Sequence, residues 1–243
     1  MDYNHHVRSL KYYPISLDIT DKRCLVVGGG SVGARKAVTL ARCGAVVTVI
    51  SPIFVDQFIE IEKYSFAYPV SCIKKKYDST DLDSIFLVIG ATDNRDVNRQ
   101  IADDARKKMI LCNIADFPEG SSFVLPSIVQ RGELVITVST SGKSPALAKK
   151  LRKELESQFG QEYAEFLVLM GRIRKWLLAQ NCSSQTDSVI FRQLVNSKLL
   201  EYIASKDYSK IEAALNEILG SSKELMALNN GSLPSYKDFI FGE

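Results

Sequence analysis

The chain has 243 residues, 46% of them hydrophobic and 24% charged, with a formal net charge of +3. That length buries the core of one large domain or two small ones. So weak a positive balance gives no footing for nucleic-acid binding, but it leaves acidic small molecules as partners of any local basic cluster. No apolar run reaches the length of a membrane span, and the opening MDYNHHVRSLKYY holds no apolar leader, so no membrane attachment and a cytoplasmic protein are expected. Five cysteines, Cys24, Cys43, Cys72, Cys112 and Cys182, are widely spaced and form no C-x-x-C pair, which matches neither a disulfide framework nor a zinc site. The histidines are His5 and His6, side by side near the start. Proton chemistry must therefore rest on carboxylates, amines, hydroxyls or a cofactor, and no metal ligand set is expected.

In chain order, Leu25–Val27 and Val46–Ile50 are short β-branched runs bounded by glycine or polar residues, the pattern of strands buried on both faces. Ser31–Cys43 between them reads as a helix, with Gly44 a natural stop just past its end. A weaker strand is expected near Cys72–Tyr77 and a strong one at Ile85–Ile89. GATDNRDVNRQIADDARKK then carries Val97, Ile101 and Ala105 at helical spacing, and Ile110–Cys112 reads as a further strand. Strand and helix alternating through about residue 114 predict an α/β fold with a doubly wound parallel sheet.

The pattern then changes. Phe123–Leu125 and Leu134–Ser139 read as two strands joined through a helical turn and Arg131-Gly132, with no crossover helix. Ser144-Pro145 is an N-cap with proline at the first helical position, and Leu147, Leu151, Leu155 and Phe159 form one apolar stripe beyond it. Further helices are expected at about Glu162–Ala179, Val189–Ser205 and Lys210–Leu219. NCSSQTDS reads as a loop, and the tail after Asn229 has turn composition.

Gly28-x-Gly30-x-x-Gly33 follows a strand and opens a helix, the context in which such a motif binds a dinucleotide. The first glycine permits the tight turn, the second admits pyrophosphate to the backbone, and the third lets helix and strand pack closely. Where the second strand ends, a carboxylate would pair with a ribose 2′-hydroxyl, but this chain has Ser51. Serine offers one hydrogen bond and no repulsion of a 2′-phosphate, and no arginine follows directly, so residues 51–54 leave NAD and NADP open. GATDN, with Thr92, is placed to pass beside the cofactor at the sheet's carboxyl end; equally, Thr92, Asp93 or Asn94 starts the next helix as a cap. CNIADFPEG also follows a sheet strand, which brings Asn113 and Asp116 to the ligand-binding edge. In a chain so poor in histidine, Asp116 is the best candidate for proton transfer; equally, it is an N-cap or loop residue. STSGKSPALAKKLRK gathers Ser141, Lys143, Ser144 and Lys149 with Lys150, Arg152 and Lys153. That run is either the solvated face of an amphipathic helix or a surface for an acidic substrate.

These blocks in this order, YYPISLDITDKRCLVVGGGSVGARKAVTLARCGAVVTVISP, GATDN, NIAD and FVLPSIVQRGELVITVSTSGKSPALAKKLR, resemble the precorrin-2 dehydrogenase module of siroheme synthases over roughly residues 11–157. The resemblance implies an NAD-binding Rossmann domain over 1–115, a small α+β dimerisation region over 116–145 and a helical C-terminal domain over 146–243, assembled as a homodimer. It implies NAD-linked oxidation of precorrin-2, an acidic tetrapyrrole, to sirohydrochlorin, and in some members insertion of ferrous iron as a substrate to give siroheme. It passes the family's essential aspartate to Asp116. It assigns the dinucleotide contacts to the glycine loop with Ser31 and Val32 and to Ser51, Pro52 and Ile53. The competing reading, a ligand-sensing module of the same fold without catalysis, accounts for residues 24–115 but gives no role to NIAD or SGKSP.

Overall fold

The β-branched runs form the middle of a five-stranded parallel sheet in the computed structural model, which describes residues 11–61, 63–180, 183–228 and 232–241. His5, His6 and Cys182 lie outside those residues. The strands are β1 (Arg23–Val27), β2 (Val46–Ser51), β3 (Ser71–Lys74), β4 (Leu87–Gly90) and β5 (Leu111–Ile114), in the order β3-β2-β1-β4-β5. Helix α1 (Ser31–Arg42) links β1 to β2, α2 (Gln57–Ile61) lies between β2 and β3, and α3 (Arg95–Lys107) links β4 to β5. The winding reverses between β1 and β4, where a doubly wound sheet opens a crevice beyond its carboxyl ends.

Alternation along the strands sorts the core into two layers. Val26, Val47, Val49 and Ile89 pack with Ala37, Leu40 and Phe58 of α1 and α2. Leu25, Val27, Ile50 and Val88 pack with Ile101 and Ala105 of α3. Cys24 and Cys112 are buried in these layers, as their apolar neighbours predict. Helix α1 stops as expected at Gly44, whose φ of +77° suits glycine, and α3 carries Arg106 and Lys107 in its last turn.

The chain divides into two compact units. The first runs to Leu125 and takes in Ser141–Lys143; the second holds Pro126–Thr140 and the chain from Ser144 on. In the second, β6 (Ser127–Arg131) and β7 (Leu134–Val138) form an antiparallel ribbon. The strand expected at Phe123–Leu125 is not there, because the ribbon starts only after Pro126. Ser121–Phe123 instead runs along β5, where serine hydroxyls replace ladder carbonyls. Cys112 N donates to Ser122 Oγ at 2.8 Å and Ile114 N to Ser121 Oγ at 2.9 Å. The expected helical turn before Arg131-Gly132 is likewise replaced: a two-residue turn, with Gly132 at φ +56°, closes a tight hairpin.

Helices α4 (Pro145–Gln158), α5 (Glu162–Ala179), α6 (Ser184–Asn196), α7 (Leu199–Ala204), α8 (Tyr208–Gly220), α9 (Lys223–Leu228) and α10 (Tyr236–Phe241) complete the unit. Three expectations are corrected here. NCSSQTDS is not all loop: Ser183 Oγ accepts from Thr186 N and caps α6, while Glu224 of α9 holds Ser183 N at 3.0 Å. The helix expected over Val189–Ser205 breaks at Ser197, whose extended ψ of 176° ends α6. The tail contains α10, whose Tyr236 and Phe239 enter the helical core. That helix is tethered by Arg172 Nη1 donating to Phe239 O at 2.7 Å and by Tyr236 N donating to Glu212 Oε2 at 2.8 Å. Among the described residues, no helix is long and apolar enough to cross a membrane.

Candidate functional site

Parallel pairing aligns the ends of the strands. Lys75 N donates to Ser51 O, Gly28 N to Ile50 O, Ala91 N to Val27 O and Ala115 N to Gly90 O, all between 2.8 and 3.2 Å. The turns that leave these strands therefore share one edge of the sheet. Four candidate segments stand there: the glycine loop, Ser51–Ile53, the turn containing Thr92, and Asn113–Asp116.

The three motif glycines meet three different demands. Gly28 has φ +128°, and a Cβ on it would lie 2.3 Å from Ala91 O. A Cβ on Gly33 would lie 2.0 Å from Gly28 O, so this glycine is what lets α1 close against the loop. Gly30 has an ordinary φ of −82°, and nothing lies within 4 Å of where its Cβ would be. Neither fold nor conformation requires glycine at position 30, and among the described residues the space beside it is open. Helix α1 begins there with no side-chain cap and no acidic residue in its first turn. Ser31, Val32 and Gly33 thus present backbone N–H groups toward an approaching anion. By contrast, Asn94 Oδ1 closes α3 by accepting from Asp96 N and Val97 N at 3.0 and 3.2 Å. The two helix starts on this edge differ as a phosphate cradle differs from a capped turn, and the cradle fits a dinucleotide.

Ser51 is 7% exposed, and its Oγ donates to Ile53 O at 2.7 Å. The hydroxyl builds the turn after β2, against which Gly29 is packed: a Cβ on Gly29 would lie 2.1 Å from Ile53 O. Val55 N donates to Gly29 O at 3.0 Å and ties the same turn to the glycine loop. Pro52 and Ile53 stand outward, Ile53 at 76% exposure, as an apolar surface beside the cradle. Gly29 was missed because the motif counts it as a variable position, although the run of three glycines was its signal. Thr92 Oγ1 donates to Asn98 Oδ1 at 2.8 Å, and Asn98 Nδ2 donates back to Thr92 O at 2.9 Å. Its side chain stabilises the turn while its backbone follows Ala91 past Gly28. Asn98, a buried amide inside a helix, gave no sequence signal.

On the far side, Asn113 Nδ2 donates to Phe123 O at 3.0 Å and holds Ser121–Phe123 against β5. Asp116 is exposed in the turn that follows, with no hydrogen-bond or ion-pair partner among the described residues. The turn is fixed from both ends, by Ala115 N donating to Gly90 O and by Phe117 packing into the α3 layer. One strand separates β5 from β1, so Asp116 stands roughly 10 Å across the edge from the glycine loop. A fixed, solvated carboxylate beside an anion cradle is suited to accept a proton.

Ser141, at φ +52°, and Gly142, at φ +80°, form a sharp turn before Lys143. In the second unit, Ser144 Oγ accepts from Leu147 N at 3.3 Å and caps α4, with Pro145 at its first position as predicted. Lys150 is paired with Glu154 at 3.7 Å and Arg152 with Glu156, so part of the basic run serves the helix itself. Lys143 and Lys149 are exposed and have no ion-pair partner among the described residues. No group of acidic, histidine or cysteine residues suited to holding a metal occurs among the described residues.

Comparison with known proteins agrees with this arrangement. A family model described as putative NAD(P)-binding matches residues 15–127, and one described as sirohaem biosynthesis protein central matches residues 131–158. Siroheme synthase 2 of Pectobacterium atrosepticum is 36% identical over 214 residues, which cover 88% of this chain and 46% of the relative. Siroheme synthase of Salmonella dublin is 33% identical over 210 residues, covering 86% of this chain and 45% of the relative. The chain thus spans slightly less than half the length of these relatives. A solved structure of SirC, a precorrin-2 dehydrogenase, superposes with a TM-score of 0.71 at 25% identity, covering 85% of this chain and 98% of that one. The open glycine cradle lies within the segment that matches the NAD(P)-binding model, the segment matching the sirohaem biosynthesis model follows it, and most of the chain's length is similar to siroheme synthases and to SirC.

Proposed function

We propose that the chain is an NAD-dependent dehydrogenase that oxidises precorrin-2 to sirohydrochlorin in siroheme biosynthesis. The observation that carries this reading is the pairing of an uncapped, side-chain-free approach at Gly30 with a carboxylate at Asp116 that has no partner among the described residues, on the same sheet edge. Gly28, Gly30, Ser31, Val32 and Gly33 would hold the pyrophosphate, with Ser51–Ile53 beside the adenosine and Thr92 and Asn113 lining the way to the nicotinamide. Bound there, the nicotinamide supplies a hydride acceptor. The same oxidation releases a proton, which the Asp116 carboxylate accepts as general base. Lys143 and Lys149 are cations available to an acidic substrate.

In this reading, ferrous iron is a second substrate, inserted with Asp116 taking up pyrrole N–H protons. The protein is cytoplasmic and works as a homodimer through residues 116–145, which lie in sequence between the NAD-binding domain over 1–115 and the helical domain over 146–243. Support for the dimer comes from the outer face of the β6–β7 ribbon, where Ile128 is 43% and Val135 52% exposed, and from the ribbon's two open edges. A ligand-sensing module without catalysis would leave Asp116 without a role. Anaerobic turnover of precorrin-2 with NAD⁺, with and without Fe²⁺, tests the proposal: NADH formation is expected in both, and its absence with substrate and cofactor bound would overturn the dehydrogenase.

A further inference from the structure

Ser51 leaves the end of β2 without a charge, and the four residues after it, Pro52–Val55, carry none either. Asp56 follows only at the start of α2. In dinucleotide sites of this fold, that strand end sets the choice at the adenosine 2′ position: a carboxylate there selects the hydroxyl, and a nearby cation accepts the phosphate. Parallel pairing brings the missing charge from elsewhere in the chain. Lys74, the last residue of β3, is paired in register with Ser51, and Lys75 N donates to Ser51 O at 3.2 Å. Residues paired across a sheet share a face, and neighbouring strands lie about 4.8 Å apart. Lys74 therefore stands on the same face as Ser51 and the Gly29 contact, one strand further out, with its flexible four-carbon stem at an edge strand exposed along its length. Lys76 follows two residues on, also exposed. Between them, Lys75 belongs to the opposite face, where Asp81 Oδ1 holds its Nζ at 2.6 Å. Neither Lys74 nor Lys76 has an ion-pair partner among the described residues.

We infer that Lys74 and Lys76 form a recognition site for a 2′-phosphate on the adenosine ribose, so that the chain accepts NADP⁺ alongside NAD⁺. The inference rests on the dinucleotide reading given above and adds the residues that set cofactor choice. Serine contributes no repulsion, and two exposed ammonium groups supply the attraction that arginine supplies elsewhere. Because both groups are solvated, the attraction is screened by salt, whereas recognition of the 2′-hydroxyl is not.

Equilibrium binding of NAD⁺ and NADP⁺, and of AMP and adenosine 2′,5′-bisphosphate as fragments, tests this by titration calorimetry without any turnover. In the unmodified protein, NADP⁺ is expected to bind within about tenfold of NAD⁺ at low salt. The double variant Lys74→Gln/Lys76→Gln is expected to weaken NADP⁺ and the bisphosphate by roughly tenfold or more and NAD⁺ by less than about twofold. Raising the ionic strength from about 0.02 M to about 0.3 M should weaken NADP⁺ selectively in the unmodified protein and not in the variant. Binding of NAD⁺ without measurable NADP⁺, or equal weakening of both in a variant with an unchanged circular dichroism spectrum, overturns the 2′-phosphate site and leaves the dehydrogenase standing. If neither dinucleotide binds the folded protein, the dinucleotide reading itself fails, and this inference with it.

Discussion

The glycine loop and the β6–β7 ribbon are both short segments rich in small or apolar residues, yet they settle their packing in opposite ways. In the loop, Gly28, Gly29 and Gly33 each sit where a single methyl group would strike backbone of the same unit, and Gly30 alone faces open space. In the ribbon, Val129 is buried, but its neighbours Ile128 and Val135 turn outward, and Leu147 on the adjoining α4 is 47% exposed. A fully buried side chain of this size contributes about 1.5–3 kcal/mol, a gain that Ile128 and Val135 forgo within one chain and that the proposed dimer would recover. One region is finished internally except beside Gly30, where the space is open among the described residues. The other leaves Ile128 and Val135 exposed on one face, beside Gln130 and Thr137.

The sharpest way to break the comparison is within the loop itself. Gly33→Val is expected to abolish soluble, cooperatively unfolding protein, because the new side chain meets Gly28 O and overpacking already costs about 1–3 kcal/mol where neighbours can move. Gly30→Val should keep the melting temperature within a few degrees while eliminating dinucleotide binding in a titration. Equal damage from the two variants would mean that Gly30 is structural after all. Asp116→Asn comes next: precorrin-2 turnover should fall about 10²–10⁴-fold with NAD⁺ affinity unchanged, as for loss of a positioned general base. Near-normal steady-state turnover would reduce Asp116 to a turn residue.

Ile128→Asp combined with Val135→Asp tests the other region. These positions are exposed within one chain, so the fold should tolerate them, while sedimentation should shift from dimer to monomer. A dimer unaffected by both charges would move the interface elsewhere. The smallest effect concerns thiols inside the finished region. Burial pushes Cys24 and Cys112 up to about 11, whereas Cys43 is exposed. A raised value means the folded state favours the protonated thiol. This contribution to stability is fully present below the ordinary value near 9 and is lost as pH rises through about 11. Denaturant midpoints should therefore decline between pH 9 and 11, and peptide mapping at pH 8 should find Cys43 alkylated well before Cys24 or Cys112.

Much of this was legible from residues alone, because its causes are local. Alternation of β-branched runs with small-residue helices specified the sheet, and Gly44 and Ser144-Pro145 marked the ends of their helices by backbone rules that operate within one turn. The motif glycines pointed to the cofactor loop for the same reason. Less legible were Phe123, whose segment lies beside β5 through serine hydroxyls, and α10, whose Tyr236 and Phe239 have meaning only against α5 and α8. A turn-like composition does not reveal that two aromatic side chains three residues apart will find a groove.

By itself, the sequence determined the parallel strands, the loop that ends the first of them, and a carboxylate at the turn after the last. Only the tertiary structure decided what each polar side chain there is free to do. Ser51 is turned inward to Ile53 O, Thr92 is held by Asn98, Asp116 is left without a partner among the described residues, and Lys74, 23 positions after Ser51, becomes its neighbour. The physical reason is that parallel strands pair only through a crossover of a dozen or more residues. Which residues meet across the sheet edge is therefore fixed by register between distant segments, and no local pattern of residues records it.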